Sequence, residues 1–323
     1  MTRVLVSRLI QLPLILLVIF LVTFVLAWTV PGDPLERPEG RRPPKEIITA
    51  MQKQYGLDSP GSFMRKYVTR LLLHGDFGPS LNHRDRTVND IIGAGLPVSV
   101  MLGVAAIVLA LLIGLAAGTV GALRPGSTLD LASLGMALIG VSLPSFVTGS
   151  VLLVIFAGVW QLAPIGGWEW PSSSPWTLGF WQDTAQMLRH LALPALTLSL
   201  APAAYIARLI RLGLADVMSS DFVRTARAKG LSHHKALFGH AMKVAFLPVL
   251  SFLGPAAATA MTGAFVVEKV FNVPGLGRDF VDAVLHKDQF LILGLVLTYS
   301  TLLIVFNLMV DMAYAWVDPR IEL

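Results

Sequence analysis

The chain has 323 residues, of which 54% are hydrophobic and only 14% are charged. Soluble domains carry about 25% charged residues, so much of this surface is predicted to face lipid. The chain has no cysteine, which excludes disulfide scaffolds, thiolate metal sites and cysteine nucleophiles. The net charge of +5 is no sign of nucleic acid here, because membrane chains retain Lys and Arg in their cytoplasmic loops. We therefore expect the lipid bilayer, and no nucleic acid, as a partner.

Six runs lack Lys, Arg, Asp and Glu and approach or exceed the ~20 residues that a helix needs to cross a bilayer. The first, 9–32, follows Arg3 and Arg8 as a signal peptide would, but it is too long and has no small-x-small cleavage site before Pro31. Residues 1–32 are therefore predicted to be a retained transmembrane helix. The other five spans are predicted at about 96–123, 131–160, 190–212, 244–267 and 289–313. The fold class is all-α, with six transmembrane helices.

The segment 33–94 separates the first two spans. It opens with a proline-rich stretch that resists helix formation. Residues 47–55 and 62–73 carry the periodicity of two amphipathic helices. We expect this segment to lie outside the cytoplasm.

Short-loop charge predicts the orientation of the spans. Seven Lys or Arg residues lie in 208–243, against two acids, whereas the loop 161–188 has no Lys or Arg. The N-terminus, the segment 213–243 and the tail 316–323 are therefore predicted to be cytoplasmic.

Glycines and prolines recur within the spans. Gly114, Gly118 and Gly121 have small-x-x-x-small spacing, which permits close helix approach. Prolines are expected to interrupt spans three to five, because proline removes a backbone hydrogen bond; they are Pro144, Pro194, Pro202, Pro248 and Pro255. Bent, closely packed helices suit a moving pathway as well as an ordinary bundle.

The spans carry no ionisable side chain near their centres, which disfavours an ion-coupled carrier or an intramembrane protease. No phosphate-binding G-x-x-x-x-G-K-[ST] motif occurs, so a separate chain would have to hydrolyse any nucleotide. His233 and His234 point about 100° apart on a helix, which argues against one shared metal. We predict no catalytic residue, no metal and no cofactor bound by this chain.

Two outer loops leave alternatives open. Four tryptophans in 161–188 suit an interfacial belt or a surface that stacks on substrate. The second, which we call the outer loop, contains Phe271, Asn272, Pro274, Gly275 and Gly277. Its proline and glycines predict a tight turn before an amphipathic helix. This outer loop is either a gate or scoop at the outer mouth or an ordinary connection.

The segment 213–243 is the most informative part of the chain. Ser219, Ser220 or Asp221 can cap a short helix over 222–229, Gly230 can end it in a left-handed conformation, and Ser232 can cap a second helix. The predicted product is a basic helix–turn–helix in the cytoplasm. Its charge alone is more typical of an ordinary solvated loop, since cytoplasmic loops of membrane proteins are rich in Lys and Arg.

The stretch Thr225-Ala226-Arg227-Ala228-Lys229-Gly230-Leu231-Ser232 resembles the EAA signature of permeases in the dipeptide/oligopeptide (peptide/nickel) ABC importer family. Arg224 and Thr225 stand where the wider superfamily has Glu and the first Ala. Other short segments resemble those of the same family and follow in the same order along the chain, at 31–34, 75–78, 96–99, 271–277 and 318–321.

The resemblance implies a type I ABC importer permease fold for 95–315, with both termini in the cytoplasm of a bacterial or archaeal cell membrane. It implies a pathway shared with a second homologous permease, two ABC ATPase subunits that hold ATP and Mg, and an extracytoplasmic solute-binding protein. It further implies an ATPase-coupling role for what we call the EAA-like segment, formed by Asp221, Arg224, Thr225, Ala226, Arg227, Ala228, Lys229, Gly230, Leu231 and Ser232.

The expected function is therefore a permease subunit of an ATP-driven importer, not an enzyme, that moves di- or oligopeptides. The alternatives are the same architecture importing nickel chelates or another small solute, and a membrane scaffold or enzyme without transport.

Overall fold

The computed structural model describes residues 2–30, 45–83, 85–128, 130–131, 135, 140, 142–174 and 177–317. Within these ranges the regular structure is helical, apart from an isolated antiparallel bridge between Pro79 and Thr87, so the predicted all-α class is confirmed. Two compact units divide the chain. The first comprises Val100–Val273 with the ends 1–5 and 305–323, and the second comprises Val6–Ser99 and Pro274–Ile304.

The helices are bounded as follows. The N-terminal part contains α1 (Thr2–Thr29), α2 (Lys45–Tyr55), α3 (Pro60–His74) and α4 (Val88–Leu123). The middle contains α5 (Ser145–Leu152), which continues as a π-helical stretch Leu153–Val159, and then α6 (Leu178–Met218). The last part contains α7 (Asp221–Ala228), α8 (His233–Ala236), the π-helical stretch Leu237–Ala241, α9 (Met242–Ala245), α10 (Leu247–Val270), α11 (Leu276–Leu285) and α12 (Gln289–Val317).

Four described helices are long and apolar enough to cross a bilayer: Ile10–Thr29, Val88–Leu123, Leu178–Met218 and Gln289–Tyr314. The pair His233–Ala245 and Leu247–Ala258 passes the same test together, with a bend of 49° between its halves. The predicted third span, 131–160, lies partly outside the described residues, and its described part includes the shorter apolar helix Ser145–Val159. The described residues thus contain four or five such helices, and the count of six stays a prediction.

The fourth predicted span is longer and more regular than the sequence suggested. Helix α6 begins at Leu178 rather than at 190 and runs unbroken through Pro194 and Pro202. The predicted interruption at these two prolines is therefore wrong, because a 41-residue helix tolerates the loss of single hydrogen bonds within its ladder. The 49° bend lies between Ala245 and Leu247, next to Pro248, which is one of the prolines predicted to interrupt a span.

Aromatic side chains form the core of the second unit. Phe63 and Tyr67 of α3 are almost fully buried, and they pack with Phe20 of α1 and Phe290 of α12. The ring centroids of Phe63 and Phe290 lie 4.9 Å apart, and those of Phe20 and Tyr67 lie 5.6 Å apart. Burial raises the pKa of the Tyr67 hydroxyl. The two amphipathic helices predicted for 33–94 are thus confirmed as α2 and α3.

A glycine seam packs α4 closely against α6 in the first unit. A Cβ atom at Gly114 would lie 2.8 Å from the Ala203 carbonyl oxygen, and one at Gly118 would lie 2.6 Å from that of Ala207. Neither contact is possible for a real side chain without movement of the backbone. The small-x-x-x-small spacing therefore predicted a helix contact correctly.

Candidate coupling site

The EAA-like segment is anchored by two side chains of α7. Val223 and Ala226, three residues apart on one helix face, are buried. Val223 belongs to a core cluster with Leu214 of α6 and Leu237, which follows α8. Because this cluster is apolar and closely packed, α7 is held to α6 through side chains as well as through the chain connection.

The turn after α7 has the predicted left-handed conformation. Gly230 has φ +89°, and its N–H donates to the Arg227 carbonyl at 2.9 Å. The Leu231 N–H donates to the Ala226 carbonyl at 3.3 Å. A Cβ at Gly230 would meet no described atom within 4 Å, so the backbone angle, and not crowding within this chain, makes glycine suitable here.

The helix caps agree in part with the sequence analysis. Ser232 caps α8, because its hydroxyl oxygen accepts a hydrogen bond from the Lys235 N–H at 3.4 Å. Ser220 occupies the N-cap position of α7, but its side chain makes no capping bond, and Asp221 is the first helical residue.

The outward face of the EAA-like segment combines charge with one aromatic ring. Arg224, Arg227 and Lys229 are exposed, and Phe222 is 46% exposed. Arg224 lies 3.6 Å from Asp221, but an exposed ion pair of this kind contributes little to stability. Aromatic residues and Arg are enriched at protein interfaces, whereas Lys is depleted, so Phe222, Arg224 and Arg227 are the residues of this face that suit contact with another protein.

Sequence reasoning missed an ion pair that lies about three helical turns before the EAA-like segment. Arg211 of α6 donates to both carboxylate oxygens of Asp130, Nε to Oδ1 at 2.6 Å and Nη2 to Oδ2 at 2.8 Å. Asp130 is 1% exposed and also accepts from the Gly126 N–H at 2.9 Å. The hydrogen bonds from Arg211 and Gly126 lower the pKa of Asp130. Residues so far apart in the chain leave no local sequence signal.

The outer loop divides between the two units, so its halves are described separately. In the first unit, Phe271 is buried, its carbonyl accepts from the Gly167 N–H at 3.1 Å, and Asn272 has φ +50°. In the second unit, the Leu276 N–H donates to the Ser99 hydroxyl at 2.9 Å, which ties the start of α11 to α4.

The predicted turn and amphipathic helix of this loop are present. Pro274 is exposed and Gly275 is the N-cap of α11, whereas Gly277 lies inside the helix rather than in the turn.

A second missed group is a buried carboxylate before α12. Asp288 is fully buried, and its Oδ2 accepts from the Ser80 hydroxyl at 2.6 Å and the Leu81 N–H at 2.8 Å. Its Oδ1 accepts from the Leu291 N–H at 3.1 Å and so caps α12. An acid directly before an apolar run is a helix-start signal that could have identified the cap, but not its partners at 80–82.

Comparison with known proteins identifies the family. Residues 106–323 match the family described as "Binding-protein-dependent transport system inner membrane component", and residues 1–102 match the corresponding N-terminal family. The chain belongs to this family. It is therefore an inner-membrane component of a binding-protein-dependent transport system, which confirms the resemblance stated above and the expected membrane location.

Similar proteins cover nearly the whole length of this inner-membrane component. It is 36% identical over 323 residues to the dipeptide transport system permease protein DppB of Bacillus subtilis, covering 100% of this chain and 99% of the relative. It is 38% identical over 310 residues to the oligopeptide transport system permease protein OppB of Salmonella typhimurium, covering 95% of each.

A solved structure has a similar fold. A chain of the MetNI methionine ABC transporter, in an inward-facing form, aligns with a TM-score of 0.50 and 15% identity over 71% of this chain and 96% of that chain. At this identity the likeness concerns the fold alone.

Proposed function

We propose that this chain is one of two homologous permeases that together form the pathway of an ATP-driven importer. Two separate ABC ATPase subunits hold ATP and Mg beneath it, and an extracytoplasmic solute-binding protein delivers the substrate. The observation that carries the proposal is the EAA-like segment, a short helix anchored to α6 by Val223 with its cationic and aromatic face exposed. This chain itself carries out no catalysis and supplies the path.

The EAA-like segment couples ATP hydrolysis to movement of the spans. Its exposed face, with Phe222 and the three cations, docks on the ATPase. Because Val223 and Ala226 are buried against the core, a displacement of α7 is passed to α6 and to the stretch that leads into α10. The spans then change from an outward-facing to an inward-facing packing, which is a shift between two populations. Contact of the cations with phospholipid headgroups is the competing account.

The topology that this function requires has six spans and two cytoplasmic termini. The apolar helices and the partly described third span support the count. The charge of 208–243 supports a cytoplasmic EAA-like segment. The outer loop at 271–277 then faces the binding protein, where it acts as a gate or scoop.

Peptides are the proposed substrates, because the relatives at 36% and 38% identity are named as dipeptide and oligopeptide permeases. Nickel chelates and other small solutes are the alternative substrates. The complete complex in proteoliposomes, supplied with its binding protein, distinguishes them by ATPase stimulation across a panel of peptides and metal chelates. We expect stimulation by peptides, and stimulation by a chelate alone would contradict the substrate assignment.

Gly230 provides the test of coupling. Gly230→Asn keeps a residue that tolerates the left-handed angle, whereas Gly230→Glu adds a long charged side chain where this chain leaves open space. We expect Gly230→Asn to import nearly as the wild type does. We expect Gly230→Glu to lower import about tenfold or more with its membrane abundance unchanged, because a clash of only ~1.4 kcal/mol with a docked partner has that effect. Wild-type import by purified Gly230→Glu complex would contradict the coupling role.

A further inference from the structure

The ion pair between Asp130 and Arg211 joins two elements of the first unit. Asp130 follows the turn after α4, and Arg211 lies in the C-terminal part of α6, about three turns before α7 begins. The guanidinium engages the carboxylate through two nitrogens, which fixes orientation as well as distance. Lysine cannot reproduce this geometry, because its ammonium is a single donor centre.

The turn that presents Asp130 is itself held in shape. The Asp130 N–H donates to the Ser127 hydroxyl at 3.2 Å, and the Gly126 N–H donates to the Asp130 carboxylate. A Cβ at Gly121 would lie 2.9 Å from Asp130 Oδ1 and 3.1 Å from Arg211 Cδ. The last glycine of the seam therefore leaves the space that the ion pair fills.

Rigid packing is continuous from this pair in both directions. Toward the membrane, Gly114 and Gly118 hold α4 against α6 at backbone distance. Toward the EAA-like segment, Ile210 and Leu214 of α6 share a core cluster with Val223. The pair thus occupies the point where the α4–α6 contact meets the core beneath the EAA-like segment.

We propose that Asp130 and Arg211 are a positioning pair that makes α4 move together with α6 when the EAA-like segment is displaced. This inference rests on the proposed coupling function and adds two residues to it. The Asp130 side chain is buried and that of Arg211 is 27% exposed, and such an ion pair is weak evidence for stability because desolvation of the charges opposes their attraction. Its bidentate geometry is better suited to fixing the register of two elements that must be displaced as one body.

The first test measures ATP hydrolysed per solute imported, in the complete complex with the wild-type solute. We expect Asp130→Asn to keep binding-protein-stimulated hydrolysis but to raise this ratio about fivefold or more, the lower end of ordinary coupling energies. Arg211→Lys keeps the positive charge but cannot donate two parallel hydrogen bonds, so its ratio of ATP hydrolysed to solute imported should lie between those of Asp130→Asn and the wild type. Arg208→Lys, at an exposed position of the same helix, should match the wild type.

The second test uses the absence of native cysteine. Spin labels at Arg124→Cys and Asp216→Cys, both exposed positions, report the distance between the turn after α4 and the end of α6. If the elements move together, this distance changes by less than about 2 Å, the size of small helix shifts, between nucleotide-free and ATP-trapped complexes. With Asp130→Asn added, the distance should differ between the two states.

The outcomes separate this inference from the coupling proposal. A wild-type complex in which ATPase subunits neither bind nor drive import would contradict the proposed function. A coupled wild type, with Asp130→Asn and Arg211→Lys equally well coupled, would overturn the positioning role alone. A label distance that changes between states in the wild type would overturn it as well, even if the Asp130→Asn variant failed to accumulate.

Discussion

Asp288 allows a quantitative prediction of stability. Its carboxylate is fully buried and accepts hydrogen bonds from the Leu81 and Leu291 N–H groups. Both hydrogen bonds are shielded from solvent. Asp288→Ala leaves both donors without their acceptor. Each unsatisfied buried donor costs about 1–3 kcal/mol, so the substitution should lower the free energy of unfolding by roughly 2–6 kcal/mol.

Two further variants calibrate this value. Asp288→Asn keeps one acceptor oxygen but turns an NH2 group toward the donors, so its loss should be intermediate. Asp85→Ala removes an exposed carboxylate from the same unit and should change the stability by less than about 0.5 kcal/mol.

Thermal unfolding of the purified protein in detergent provides the assay. At roughly 2–4 °C per kcal/mol for a large domain, Asp288→Ala should lower the apparent Tm by at least about 4 °C. If Asp288→Ala and Asp85→Ala unfolded at the same temperature, the buried hydrogen bonds of Asp288 would not stabilise the second unit, and the reasoning would be refuted.

Two other predictions use the same assay. Gly118→Ala forces a Cβ against the Ala207 carbonyl and should lower the free energy of unfolding by about 1–3 kcal/mol. The control Gly103→Ala, whose Cβ would meet no described atom within 4 Å, should be neutral or slightly stabilising. Equal effects of the two substitutions would argue against the glycine seam. Burial raises the pKa of Asp279, so its contribution to stability is present below about pH 3.9 and is lost as the pH rises through its pKa in the folded protein. The Tm of Asp279→Asn minus that of the wild type should therefore increase with pH, and a constant difference would contradict the shift.

Much of the local structure follows from the sequence because its causes are local. The left-handed turn at Gly230 and the cap at Ser232 depend on residues within one or two turns of each other. The glycine spacing on α4 indicated a close helix contact, although not which helix it meets. The interruptions predicted at the prolines 194 and 202 were wrong, because a long apolar helix tolerates the loss of single backbone hydrogen bonds.

The ionic contacts could not be predicted because they depend on tertiary structure. Asp130 and Arg211 lie 81 residues apart, and Asp288 and Ser80 lie 208 residues apart. A charge beside an apolar run looks the same in the sequence whether it faces solvent or a buried partner. The tertiary fold determines which of the two occurs, because a charged side chain can be buried only where its partners lie within hydrogen-bond distance.

The separation of buried and exposed positions on α7 affects which parts of such a transporter can change during evolution. Only Val223 and Ala226 of this helix are buried, so its remaining positions can be rewritten by mutation with little effect on folding. If the proposed coupling function holds, adaptation to a different ATPase requires substitutions only at the exposed positions of this short helix, and the buried core of the permease can stay unchanged.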